Sequence, residues 1–132
     1  MTDGLILAAR FLLAPLFVIF GMRKLRDEPG TVAQMVQLGL PTPKLAAGVS
    51  TFMEVVVASA IALGACTRPA ALLMFAYTLG TALIGHRYWT VGAAERVDSM
   101  DSFYKNLGIM AGFLLLCVTG AGKYSLDALW GE

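Results

Sequence analysis

Charged side chains are scarce in this chain of 132 residues: ten Lys and Arg with nine Asp and Glu make up 14% of it. A soluble globular domain carries about 25%, so there is too little charge here to cover a water-facing surface of that size. A net charge of +1 without any basic stripe excludes a nucleic-acid binder. Disorder needs low hydrophobicity and high net charge, and 58% of this chain is hydrophobic. Cys66 and Cys117 are the only cysteines, which excludes a disulfide framework and a CxxC redox motif. Nothing beside either one marks an activated thiol, so both read as inert. A single histidine, His86, cannot ligate haem on both axes, and no HxxxH or ExxH cluster exists. Neither metal nor haem is therefore expected. Glycine-rich phosphate loops and GxSxG elbows are also missing.

What the chain has instead is long apolar runs. Four stand out at the length a bilayer demands, roughly 20 residues per helix: about 4–22, 45–63, 68–85 and 106–120. The last two are short and call for tilt or local thinning. None shows strand alternation, and only helices or closed barrels satisfy the backbone in lipid. The length allows one domain, 1–132. The expected fold is all-α, an integral membrane four-helix bundle. Met1-Thr2-Asp3 offers no basic region, and the first run is too long for a signal peptide, so it reads as a retained multi-pass helix. No internal repeat is visible, which weakens a transporter reading.

Between the first two helices, Arg23 to Gly30 forms a charged exit turn. Val32, Met35, Val36 and Gly39 then recur at helical spacing, with Gln34 and Gln37 opposite. This predicts a short amphipathic interfacial helix, ended by Leu40-Pro41-Thr42-Pro43. Arg87 to Ser102 reads as a solvated polar loop, because its charges are mixed in sign and irregularly spaced. Arg23, Lys24, Arg26, Lys44, Arg87, Arg96 and Lys105 fall at one membrane face, against Arg68 and Lys123 at the other. The positive-inside rule puts the first face in the cytoplasm and both termini outside.

Residues that should not be in lipid carry the functional signal. Arg10 and Glu54 each cost roughly 2.5–3.5 kcal/mol near a helix centre. Measured from the cytoplasmic face, helix rise puts Arg10 at about 18 Å and Glu54 at about 13 Å, a gap that two long side chains can close. An Arg10–Glu54 pair is expected, either as a structural pair fixing helix register or as part of a site. Ser50, Thr51, Glu54 and Ala58 share one helix face, and Gly108 and Gly112 give a GxxxG spacing. Lys24, His86, Lys105 and Asn106 gather near the cytoplasmic face above Glu54. They form either a proton-relaying or anion-binding pocket, or snorkelling and interfacial anchors beside Tyr88 and Trp89.

Taken in order, Ala9-Arg10-Phe11, Phe20-Gly21-Met22-Arg23-Lys24-Leu25, Leu38-Gly39-Leu40-Pro41 and Glu54 form the first half of a recognisable pattern. Leu63-Gly64-Ala65-Cys66-Thr67-Arg68-Pro69, His86-Arg87-Tyr88-Trp89, Phe103-Tyr104-Lys105-Asn106-Leu107 and Gly120-Ala121-Gly122-Lys123-Tyr124-Ser125-Leu126-Asp127 complete it. Together they resemble the DoxX family of small bacterial inner-membrane proteins, over nearly the whole chain. The resemblance implies four membrane helices and an oxidoreductase or oxidoreductase subunit, with relatives linked to thiosulfate:quinone oxidation, catechol metabolism and thiol-oxidative-stress complexes. It puts Arg10, Lys24, Glu54, Arg68, His86, Lys105 and Asn106 at the family's recurrent polar positions. The leading expectation is a redox component holding a quinone or another small apolar ligand. Glu54 and His86 would relay protons, Lys24, Lys105 or Asn106 would bond a carbonyl oxygen, and Arg10 would hold Glu54. The alternatives are a non-catalytic anchor or scaffold for a soluble redox protein, docking through Met35 and Arg26, and a small-solute transporter. A homo-oligomer is compatible with each.

Overall fold

A computed structural model describes residues 2–85 and 92–130. Among these residues four helices are long and apolar enough to cross a bilayer. The first, α1, is Thr2–Arg26, and a short α2, Glu28–Gln37, follows it. The second span is continuous but composite: α3, Pro43–Phe52, runs through a π-helical turn, Met53–Val57, into α4, Ala58–Leu63. Then come α5, Thr67–Gly85, α6, Ala93–Thr119, and a single-turn α7, Leu126–Leu129. Only 17–33% of each span is buried within the protein. The outward remainder is apolar, with residues such as Leu12, Leu72, Leu115 and Val118 exposed. Lipid covers such a surface and water does not. The chain is an all-α membrane bundle.

The core is thin and built largely from small residues. Ala14, Ala58, Ile61, Ala71, Met74 and Phe113 are fully buried, and Phe17 packs on Phe113 with ring centroids 5.6 Å apart. Small side chains let membrane helices approach closely, where dispersion and not hydrophobicity drives contact. Gly21 shows how closely. A Cβ there would lie 2.5 Å from Val55 Cγ2 and 3.0 Å from the Val55 backbone nitrogen. Only glycine lets α1 meet the π-turn that carries Glu54.

Helix ends follow local chemistry. Asp27 caps α2, accepting from Gly30 N at 3.2 Å. Gly39, at φ +77°, closes the same helix with paired bonds from Gly39 N to Val36 O and Leu40 N to Met35 O. This left-handed closure ends α2 at Gln37, ahead of the expected Leu40-Pro41 stop. Within the protein, α2 turns inward the side that carries Thr31 and Met35. Thr31 and Met35 are buried while Val36 is 58% exposed, because the Thr31 hydroxyl bonds the Asp27 carbonyl and so enters the interior satisfied.

A second correction concerns α6. The expected solvated loop is helical from Ala93 onward, so the fourth helix begins well before residue 106. Ala93, Ala94, Glu95 and Arg96 are strong helix formers, and nothing between them and Asn106 breaks a helix. At 27 residues, α6 is about 40 Å long, against a hydrocarbon core of about 30 Å. Its charged first turns, with Arg96, Asp98 and Asp101 exposed, extend the span beyond the lipid. The GxxxG spacing is split in use: Gly112 packs on Leu13, while a Cβ at Gly108 would meet nothing within 4 Å.

Candidate functional site

Two polar centres occupy opposite ends of the bundle, with the apolar layer of Ala14, Phe17, Ala58, Ile61, Met74 and Phe113 between them. At the α2 end, Glu54 is 4% exposed and forms an ion pair with Lys24 Nζ. Lys24 also donates to Ser50 Oγ at 2.5 Å, and Ser50 Oγ shares a 2.6 Å hydrogen bond with the Tyr77 hydroxyl. Tyr77 in turn stands beside Glu54. The four side chains close a ring drawn from α1, α3, the π-turn and α5. Ser50 and Glu54 reach it because they are four residues apart on one face, and the π-turn sets where Glu54 points. Such single π-turns often mark functional positions.

The ring forms part of the wall of an open cavity of about 950 Å³ lined by α1, α2, α3 and α5. Phe17, Phe20, Met35, Leu45 and Val49 give it an apolar lining, and Asn106 of α6 also lines it. Among the described residues its charged lining is Arg23, Lys24, Asp27 and Glu54, two of each sign. Arg23 lies over the Phe20 ring at 5.8 Å.

At the other end, Arg10 is 1% exposed and donates through Nη2 to the Tyr124 carbonyl at 2.5 Å. Asp127 is its neighbouring opposite charge. The Asp127 carboxylate also caps α5, accepting from Cys66 N at 2.7 Å and Thr67 N at 2.9 Å. Gly64, at φ +74°, lets the chain turn here. A Cβ on it would come within 2.1 Å of Arg10 Nη1 and 2.3 Å of Ser125 Cβ.

The expected Arg10–Glu54 pair is therefore not formed. Depth arithmetic compared Cα positions and left out side-chain direction. Side chains lean toward the N-terminus of their own helix. On antiparallel helices, Arg10 and Glu54 consequently lean toward opposite ends of the bundle. Arg10 does not line the cavity, and neither does Lys105, which is exposed on α6. Lys24, Glu54 and Asn106 do line it. His86 lies outside the described residues. Cys66 and Cys117 are both free thiols, and no group of three metal-ligating side chains exists among the described residues.

The sequence model of the DoxX family matches residues 5–87. The chain is also 47% identical over 123 residues to inner membrane protein YphA of Escherichia coli K12, covering 93% of this chain and 88% of that protein. The chain belongs to the DoxX family. A second relative, inner membrane protein YqjF of the same strain, is 39% identical over 129 residues, covering 98% and 94% of the two chains. No solved structure matches the chain significantly.

Tyr77 and Asp127 are the residues of this DoxX chain that reading the sequence missed. Tyr77 carried a signal: with Thr81 four residues on, it sets two polar groups on one face of an apolar helix. Asp127 carried little, since a lone carboxylate in a short C-terminal segment reads as solvated.

Proposed function

We propose that this DoxX protein is a membrane redox component that binds a neutral, quinone-like ligand in the cavity beside Lys24, Ser50, Glu54 and Tyr77. The observation that carries this reading is the buried polar ring set in an otherwise mostly apolar wall. Ligand cavities typically span about 300–1,000 Å³, with a few convergent polar groups fixing orientation. Among the described residues two cations and two anions line this one, which favours a ligand without net charge. Phe17, Phe20, Leu45 and Val49 suit a ring and an apolar tail.

A bound quinone supplies two-electron chemistry coupled to proton uptake. This chain's residues bind and orient it. The Lys24 ammonium has a third N–H beyond those facing Ser50 and Glu54, and the Asn106 amide is a second donor for a carbonyl oxygen. The Glu54 carboxylate, itself on the cavity wall, can accept a proton, and the Ser50 and Tyr77 hydroxyls extend the hydrogen-bonded path from it. Lys24 fixes the carboxylate and keeps its charge compensated. The basic residues counted along the chain favour a cytoplasmic cavity mouth and periplasmic termini.

The apolar layer between the two polar centres weighs against a solute path through one copy of the chain. Docking of a soluble partner through Met35 is disfavoured because Met35 is buried against the cavity, whereas Arg26 is exposed. The test is equilibrium binding of a short-chain benzoquinone to the detergent-solubilised protein and to Tyr77→Phe. The Tyr77 hydroxyl lines the cavity and holds Ser50 and Glu54 in the ring, so its loss should loosen the site and weaken binding about tenfold. Equal affinities would defeat the proposal.

A further inference from the structure

At the end of the bundle that carries both termini, a cavity of about 600 Å³ lies between the start of α5 and the turn after α6. The apolar layer separates it from the Glu54 ring, and the proposed function does not use it. Among the described residues its charged lining is Arg68, Lys123 and Asp127. The Asp127 oxygens are already taken by the Cys66 and Thr67 backbone N–H groups. Asp3 is nearby, but its Oδ1 accepts from the Lys123 backbone N–H. Arg68 stands in the first turn of α5, where the helix dipole is positive and a cation is disfavoured, and that turn has no acidic residue of its own. Gly120, at φ +74°, holds the turn against it, since a Cβ there would sit 3.0 Å from Arg68 Nε. A separate observation points the same way. Thr67 also lines this cavity and is 1% exposed, and its Oγ1 has no hydrogen-bond partner among the described residues. Buried hydroxyls are rarely left so.

We infer that this corner is a binding site for a phosphate group, carried either by a lipid headgroup or by free phosphate. Arg68 offers its guanidinium fork to two phosphate oxygens, Thr67 donates its unused hydroxyl, and Lys123 supplies a second positive charge. Leu63 and Tyr124 are exposed at the same end of the bundle, where an acyl chain would run.

The experiment is native mass spectrometry of the full chain in detergent, with dioleoylphosphatidylglycerol, phosphate-free dioleoylglycerol or inorganic phosphate added. The protein should retain one phosphatidylglycerol under activation that strips dioleoylglycerol. Arg68→Gln should weaken retention about tenfold. Thr67→Val should also weaken it without lowering the thermal midpoint, because it removes an unsatisfied hydroxyl. That combination separates a ligand site from a merely structural corner. Displacement of the lipid by inorganic phosphate would identify free phosphate as the source. Equal retention of dioleoylglycerol, or retention unchanged in both variants, would overturn the inference.

Discussion

Replacing Lys24 by Met leaves Glu54, 4% exposed, without its cationic partner inside the bundle. Removing one member of a buried ion pair costs about 3–5 kcal/mol, because the remaining charge stays desolvated and uncompensated. Replacing both members by apolar groups of similar size is close to neutral. Lys24→Met and Glu54→Leu should therefore each destabilise strongly, while the double variant recovers most of the loss. The coupling energy would be several kcal/mol. Arg10 provides the control. Fourteen residues along α1 from Lys24, it lies about 21 Å away by helix rise, and its partners are Tyr124 and Asp127. Arg10→Met combined with Glu54→Leu should add to within about 0.5 kcal/mol, as independent sites do. Reversible unfolding in mixed micelles by titrated denaturing detergent would measure both cycles. Strong coupling of Arg10 to Glu54, with additivity between Lys24 and Glu54, would refute the assignment of partners.

The glycine contacts give sharp contrasts. Gly21→Ala forces a Cβ into the π-turn backbone and should cost about 1–3 kcal/mol, read as a fall in thermal midpoint. Gly108→Ala meets open space within α6 and should be neutral or stabilising by up to about 1 kcal/mol. Asp127→Asn weakens the cap on α5 and removes the charge beside Arg10; a loss of at least about 1 kcal/mol is expected in the same unfolding assay. Cys66 is exposed and Cys117 is not. A membrane-impermeant maleimide should thus label Cys66 first, and from the periplasmic side if the proposed orientation holds. Labelling only after the membrane is opened would reverse that orientation.

Bundle architecture was legible because bilayer thickness and backbone satisfaction leave few options for four long apolar runs. The amphipathic α2 was legible from its spacing, but its end was not, since the left-handed Gly39 closure competes with the more visible prolines. Residues 93–105 were misread because mixed charges look like a loop, whereas α6 outruns the membrane and carries them into water as helix. In the site, cost in lipid pointed to Glu54 and Arg10 without naming their partners. Partner choice depended on the N-terminal lean of side chains on antiparallel helices, and on a π-turn that no periodicity announces. Ser50 was within reach of the same spacing logic as Glu54. Tyr77 had its spacing to Thr81 as a signal, but its place beside Glu54 depended on α5 lying across the cavity.

The proposed ligand site is tested most directly by purifying the protein in mild detergent and identifying by mass spectrometry what is extracted with it. Tyr77→Phe should be carried alongside, with its fold checked by thermal unfolding. The account predicts a near-stoichiometric quinone or similar neutral ring compound with the unaltered protein, strongly reduced in a variant that remains folded. An empty protein, or the same compound at the same level in Tyr77→Phe, would contradict it.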